Sequence, residues 1–126
     1  MRVFVAKAFR RFQRNERIQD ATLCDAIARA ERGLIDAGLG AGLIKQRVAR
    51  KGQGRCGGFR TVIAYRAGER SVYIYGFAKS RQANNGDADV RDLAAYGGLL
   101  LSLDEDGIES VIIADELKEI ECHDET

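Results

Sequence analysis

Phe59-Arg60-Thr61-Val62-Ile63-Ala64-Tyr65-Arg66, then Ala67-Gly68-Glu69-Arg70, then Ser71-Val72-Tyr73-Ile74-Tyr75-Gly76-Phe77-Ala78-Lys79: these residues decide the fold. Both flanks are rich in β-branched and aromatic residues, which fit a pleated, half-buried surface. The four residues between them carry a glycine and read as a hairpin turn. A connection this short joins antiparallel strands only, because parallel neighbours need a crossover of a dozen or more residues. Just upstream, Leu43–Ala49 alternates in the same way and supplies a further strand. The three together predict an antiparallel meander.

Outward from the meander the period changes. Leu23, Cys24, Ile27, Ala30, Glu31 and Leu34 recur at helical spacing behind Asp20 as N-cap, with Gly33 or Gly38 as the stop. Phe9 and Phe12 place an earlier helix through Arg10–Arg14, and residues 2–6 read as a short strand or the lead-in to that helix. Residues 36–42, with Gly38, Gly40 and Gly42, read as a turn. Beyond Asn84-Asn85-Gly86-Asp87, another turn, Val90, Leu93, Ala94, Gly97 and Leu100 mark a long helix. Ser102 with Glu105 signals a capping box for a short helix holding Ile108, Val111 and Ile112. Leu117–Cys122 alternates like a last strand on the sheet edge. The order predicts a single α+β domain over residues 1–126, an antiparallel β-meander with N-terminal helices on one face, and the helices gathered to one side of the sheet.

Composition bounds the function. The chain has 126 residues, no proline, and no apolar run near the roughly 20 residues that cross a bilayer. Its start is apolar for too few residues to be a signal peptide, and Cys24, Cys56 and Cys122 have no paired spacing, so reduced thiols in a cytoplasm are expected. The formal charge of +1 conceals a segregation. Residues 1–81 hold 18 Lys/Arg against 6 Asp/Glu, and residues 82–126 hold 2 against 13. No acid lies between Asp36 and Glu69, where Lys45, Arg47, Arg50, Lys51, Arg55, Arg60 and Arg66 all fall. Solvated faces usually mix signs, so this asymmetry points to a polyanion.

Period two puts Lys45 and Arg47 on one face of their strand, opposite Ile44 and Val48, and Arg60 with Arg66 opposite Phe59, Ile63 and Tyr65. Arg50, Lys51 and Arg55 extend the cationic face through a loop, and Lys79 with Arg81 close it. Tyr73 and Tyr75 offer rings for base stacking. Together these are the RNA-binding expectation. Gly52-Gln53-Gly54-Arg55-Cys56-Gly57 spells a dinucleotide fingerprint, but a strand follows it where that motif needs a helix, so it is rejected. His123 is the lone histidine, beside Cys122 in a polar tail, which leaves no metal site and no histidine base. Cys56 beside Arg55 has no histidine to activate it.

Gly33-Leu34-Ile35-Asp36-Ala37-Gly38-Leu39-Gly40, Ile44-Lys45-Gln46-Arg47-Val48-Ala49-Arg50, Gly57-Gly58-Phe59-Arg60-Thr61 and Tyr75-Gly76-Phe77-Ala78-Lys79 carry a likeness spanning about Phe9 to Ile120. In these residues the chain resembles the RelE/ParE toxin superfamily, in its RelE/HigB-like branch. The resemblance implies a toxin of a type II toxin–antitoxin system, an endoribonuclease (mRNA interferase) that inhibits translation by cutting mRNA at the ribosome. It implies attack of the RNA's own 2′-hydroxyl on the adjacent phosphate, with no metal or cofactor, and a cognate antitoxin as partner. Lys45 and Arg47 match the family's strand lysines, for phosphate binding or as base; a lysine base needs neighbouring cations to lower its pKa. Arg60 matches the arginine that meets transition-state charge. Lys79 and Arg81 match the basic stretch that follows. The family's tyrosine after that stretch is missing from Gln82-Ala83-Asn84-Asn85-Gly86, which leaves Tyr75 or Tyr73 to stand in. Two other functions are compatible with the same residues: a non-catalytic inhibitor of a protein target such as DNA gyrase, and a non-toxic basic RNA-binding domain.

Overall fold

The computed structural model describes residues 1–50, 54–78 and 89–122, without the side chains of Arg50 and residues 54–57. Six strands and four helices follow in the order β1 (Arg2–Ala6), α1 (Lys7–Asn15), α2 (Asp20–Glu31), β2 (Ala37–Gly40), β3 (Leu43–Arg50), β4 (Gly54–Arg66), β5 (Arg70–Ala78), α3 (Val90–Ser102), α4 (Glu105–Ile113) and β6 (Leu117–Ile120). The architecture is α+β, with one sheet in the order β2-β3-β4-β5-β1-β6. β2 to β5 form the antiparallel meander. The sheet as a whole is mixed, because β1 runs parallel to β5, with Val5 opposite Tyr73. This corrects a wholly antiparallel sheet.

β1 sits inside the sheet because of what it is made of. Val3, Phe4, Val5 and Ala6 are all buried, an unbroken apolar run of the kind that suits a strand covered on both faces. Val3 and Val5 join the core under α1 and α2, and Phe4 and Ala6 join the core under α3 and α4. The helices therefore lie on both faces of the sheet, N-terminal pair on one and C-terminal pair on the other. Gathering them to one side is corrected by the same run.

Local chemistry explains most boundaries. α2 ends at Gly33, whose φ of +85° supplies the left-handed residue that helix ends favour. Its N-cap is Gln19 rather than Asp20, which instead accepts from Gln13 Nε2 at 2.7 Å. α4 is capped by Asp104, accepting from the Gly107 N–H at 2.8 Å, while the expected capping residue Ser102 closes α3 by donating to Leu99 O. β2 arises where a turn was expected.

β6 pairs with β1, Ile120 opposite Val3. That pairing delivers the chain beyond β6 to α2, where Cys24 and Cys122 form a disulfide with Cα atoms 5.4 Å apart. The expectation of reduced thiols is corrected for this pair: 98 residues separate them in sequence, so no local spacing announces the bond. Cys56 and His123 lie outside the described side chains. Among the described residues no helix is long and apolar enough to cross a membrane.

Candidate nucleic-acid interface

The α3 side of β3, β4 and β5 has two halves. Under α3, Leu43, Val62, Ala64, Val72 and Ile74 are buried. The helix crosses closely there: a Cβ on Gly97 would stand 2.9 Å from Leu43 Cδ2 and 3.1 Å from Ala64 Cβ. Toward the other end of the strands the same face carries Lys45, Arg47, Arg60, Tyr75 and Phe77. Opposed residues share a face, and the register pairs Lys45 with Val62, Val62 with Tyr75, Arg47 with Arg60, and Arg60 with Phe77. A concavity of about 290 Å³ opens among Asp36, Ala37, Lys45, Gln46, Arg47 and Arg60.

Tyr75 reaches this face through an irregularity. The β4–β5 register shifts between Val62 and Ile63, so Val62 opposes Tyr75 while Ile63 opposes Tyr73. Two tyrosines two residues apart in one strand should share a face; the extra residue, Ile74, sends them to opposite faces, as bulges do. Tyr73 is fully buried against Phe9, ring centroids 5.0 Å apart, and its hydroxyl donates to Leu23 O at 2.7 Å. Burial pushes that phenol well above its ordinary pKa. Tyr73 is thus corrected from a stacking platform to a core residue. Tyr75 is half-buried, 6.0 Å from Phe77 between ring centroids.

The cations are not equivalent. Arg47 donates from its backbone N–H to Asp36 Oδ2 at 2.6 Å and from its guanidinium to Asp36 Oδ1 at 3.1 Å. Burial alone would raise the Asp36 carboxyl, but these two bonds and the charges of Arg47 and Arg29 outweigh it and hold the pKa below the usual range. Asp36 is itself fixed: its N–H donates to Oε1 of the fully buried Gln46 at 2.7 Å, whose Nε2 donates to Ala26 O and Leu34 O. Lys45 and Arg60 have no acidic partner among the described residues. Arg47 Nε and Arg60 Nη1 are buried without a hydrogen-bond partner there, an arrangement that costs about 1–3 kcal/mol per group when nothing accepts.

The structure therefore brings together Lys45, Arg47, Arg60 and Tyr75 and excludes Tyr73. Arg66 lies at the far end of β4, paired with Arg70 beside the hairpin turn and exposed. Lys51, Lys79 and Arg81, and the side chains of Arg50 and Arg55, lie outside the described residues. Asp36 and Gln46 are the residues sequence reasoning missed. Asp36 marked the edge of the acid-free stretch, and its entry into the site follows from Ala37 pairing with Lys45.

Fold and site define a small α+β domain whose sheet ends in a cluster of cationic and aromatic side chains. Residues 1–120 match the family described as the RelE toxin of the RelE / RelB toxin–antitoxin system, and the chain belongs to this RelE toxin family. It is a toxin-class member of such systems, and the membership implies an antitoxin as partner. No curated protein matches the sequence significantly.

Proposed function

We propose that the chain is a metal-independent endoribonuclease of the HigB-like kind, a cytoplasmic toxin that cuts mRNA at the ribosome. The observation that carries this reading is the sheet end beyond α3, where Lys45, Arg47 and Arg60 share one face around a concavity of about 290 Å³ and, among the described residues, two guanidinium N–H groups lack acceptors. In the proposed reaction the 2′-oxygen attacks the adjacent phosphorus and the bond to the 5′-oxygen breaks, leaving a 2′,3′-cyclic phosphate and a free 5′-hydroxyl. Arg60 meets the charge that grows on the non-bridging oxygens, the task that positioned donors perform best in a partly dry site. Arg47, held by Asp36, orients the phosphate. Lys45 and Tyr75 flank the reacting atoms as the candidates for moving the two protons. Tyr75, half-buried beside the buried Phe77, gives a base a surface on which to stack.

Inducible expression with mapping of RNA 5′ ends tests the reading. New ends in translated mRNA, lost with Arg60→Ala in a folded protein, support it. Growth arrest with DNA damage signalling and intact mRNA would transfer the site to a protein target such as DNA gyrase; harmless expression with RNA binding would leave a basic RNA-binding domain.

A further inference from the structure

We propose that the pocket between the end of α1 and the outer half of β5 is a nucleobase site selective for guanine, read by Glu16. The proposal rests on the RNA reading above and deepens it.

β1 pairs with β5 only from Arg70 to Tyr73, then turns into α1. Past that point α1, rather than a strand, flanks β5. Phe12 packs so closely on Gly76 that a Cβ there would lie 2.6 Å from its ring. A pocket of about 250 Å³ results, walled by Phe12, Asn15 and Glu16 from α1 and by residues 75–78 of β5. The Glu16 carboxylate and the Asn15 amide have no side-chain partner among the described residues. Arg47, Arg60 and Phe77 are successive cross-strand neighbours. With strands about 4.8 Å apart, the pocket lies roughly two strand spacings from Arg60, within reach of a base whose phosphate rests there.

The pocket's chemistry is that of a base reader rather than a phosphate holder. Among the described residues its one charged lining side chain is the acid Glu16, which repels phosphate. Its half-buried rings, Phe12 and Tyr75, accept the face of any base, so stacking confers little selectivity. A carboxylate only accepts hydrogen bonds. Guanine alone presents two adjacent donors, N1–H and the N2 amine, to match its two oxygens. Adenine and cytosine set a ring-nitrogen lone pair beside their amine, and uracil flanks its one N–H with carbonyls. Single-stranded RNA exposes these edges.

The test is fluorescence anisotropy of the full chain with uridine pentamers, 2′-O-methylated to prevent cleavage, whose central base is guanine, inosine, adenine, cytosine or uracil. Guanine should bind about tenfold tighter than the others, inosine included, since it lacks the N2 amine. Glu16→Gln should erase that preference, leave the thermal midpoint in place and bind the all-uridine pentamer at least as well. Equal binding of all five pentamers by the parent chain, or a preference that survives Glu16→Gln, overturns the guanine site. Arg60→Ala separates the two failures. If it weakens every pentamer while base identity is ignored, the RNA reading stands and only the pocket assignment falls; if the parent chain and Arg60→Ala bind all pentamers alike, the RNA reading falls and takes the pocket with it.

Discussion

The half of the sheet face beneath α3 and the half beyond it come from the same three strands, yet they serve opposite ends. Leu43 and Lys45, Ala64 and Arg60, Ile74 and Phe77 lie on one surface of the same strands. Where α3 covers the strands, small and branched apolar residues meet Gly97 at close range. Where it does not, the side chains are cationic and aromatic. A strand's residues thus change with what lies over them, not with the strand. The covered half contributes stability, and the open half carries the cations on which the proposed RNA reading rests.

The sharpest way to break this comparison is to exchange the chemistry of the halves. Ala64→Lys puts a charge beneath α3 with nothing to pair it, and should cost about 4 kcal/mol or more, seen as loss of cooperative thermal unfolding or of soluble protein. Arg60→Ala does the reverse. It should lower RNA cleavage by about 10²–10³-fold, the scale for one transition-state donor, while circular dichroism and thermal midpoint stay close to the parent. If Arg60→Ala unfolds the chain instead, the open half is structural and the contrast fails.

Smaller effects sharpen it. The Cys24–Cys122 bond ties α2 to the chain beyond β6, on the face away from Arg60. Replacing both cysteines with serine should cost about 3 kcal/mol of stability, measured by urea unfolding, and leave affinity for RNA unchanged. Asp36→Asn should raise RNA affinity a few-fold and steepen its salt dependence by about one counterion, because Arg47 is released. Its pH behaviour follows from the lowered carboxyl. Ionised Asp36 stabilises the parent chain fully above the ordinary carboxylate range, and that contribution disappears as pH falls through the depressed value. The variant should be the less stable protein at neutral pH, and the gap should close in acid.

Much of this was legible. The period of two in Leu43–Ala49 and Phe59–Arg66 put Lys45, Arg47 and Arg60 on one side, and the pairing of Arg47 with Arg60 agrees. The hairpin, α1 and α2 were likewise written in local periods. Three features were not, each for its own reason. β2 is Ala-Gly-Leu-Gly, with no β-branched residue to mark a strand; pairing with β3 makes it one. The insertion of β1 beside β5 depends on which of many partners lies nearest once everything folds, and five residues cannot state that. The bulge that parts Tyr73 from Tyr75 has no residue signature, so two rings that read alike in sequence end on opposite faces. Asp36 was visible but misjudged. It looked like a border of the basic stretch and is a member of the site.

The placement of β1 has a consequence for synthesis. The first strand translated lies between β5 and the last one, so the sheet closes only when residues 117–120 have been made. A chain cut short near residue 80 already holds Lys45, Arg47 and Arg60, but leaves Leu43, Ala64 and Ile74 bare and β1 with one unpaired edge. Such a fragment is a substrate for quality-control proteases, which ties the appearance of a working toxin to the completion of its message.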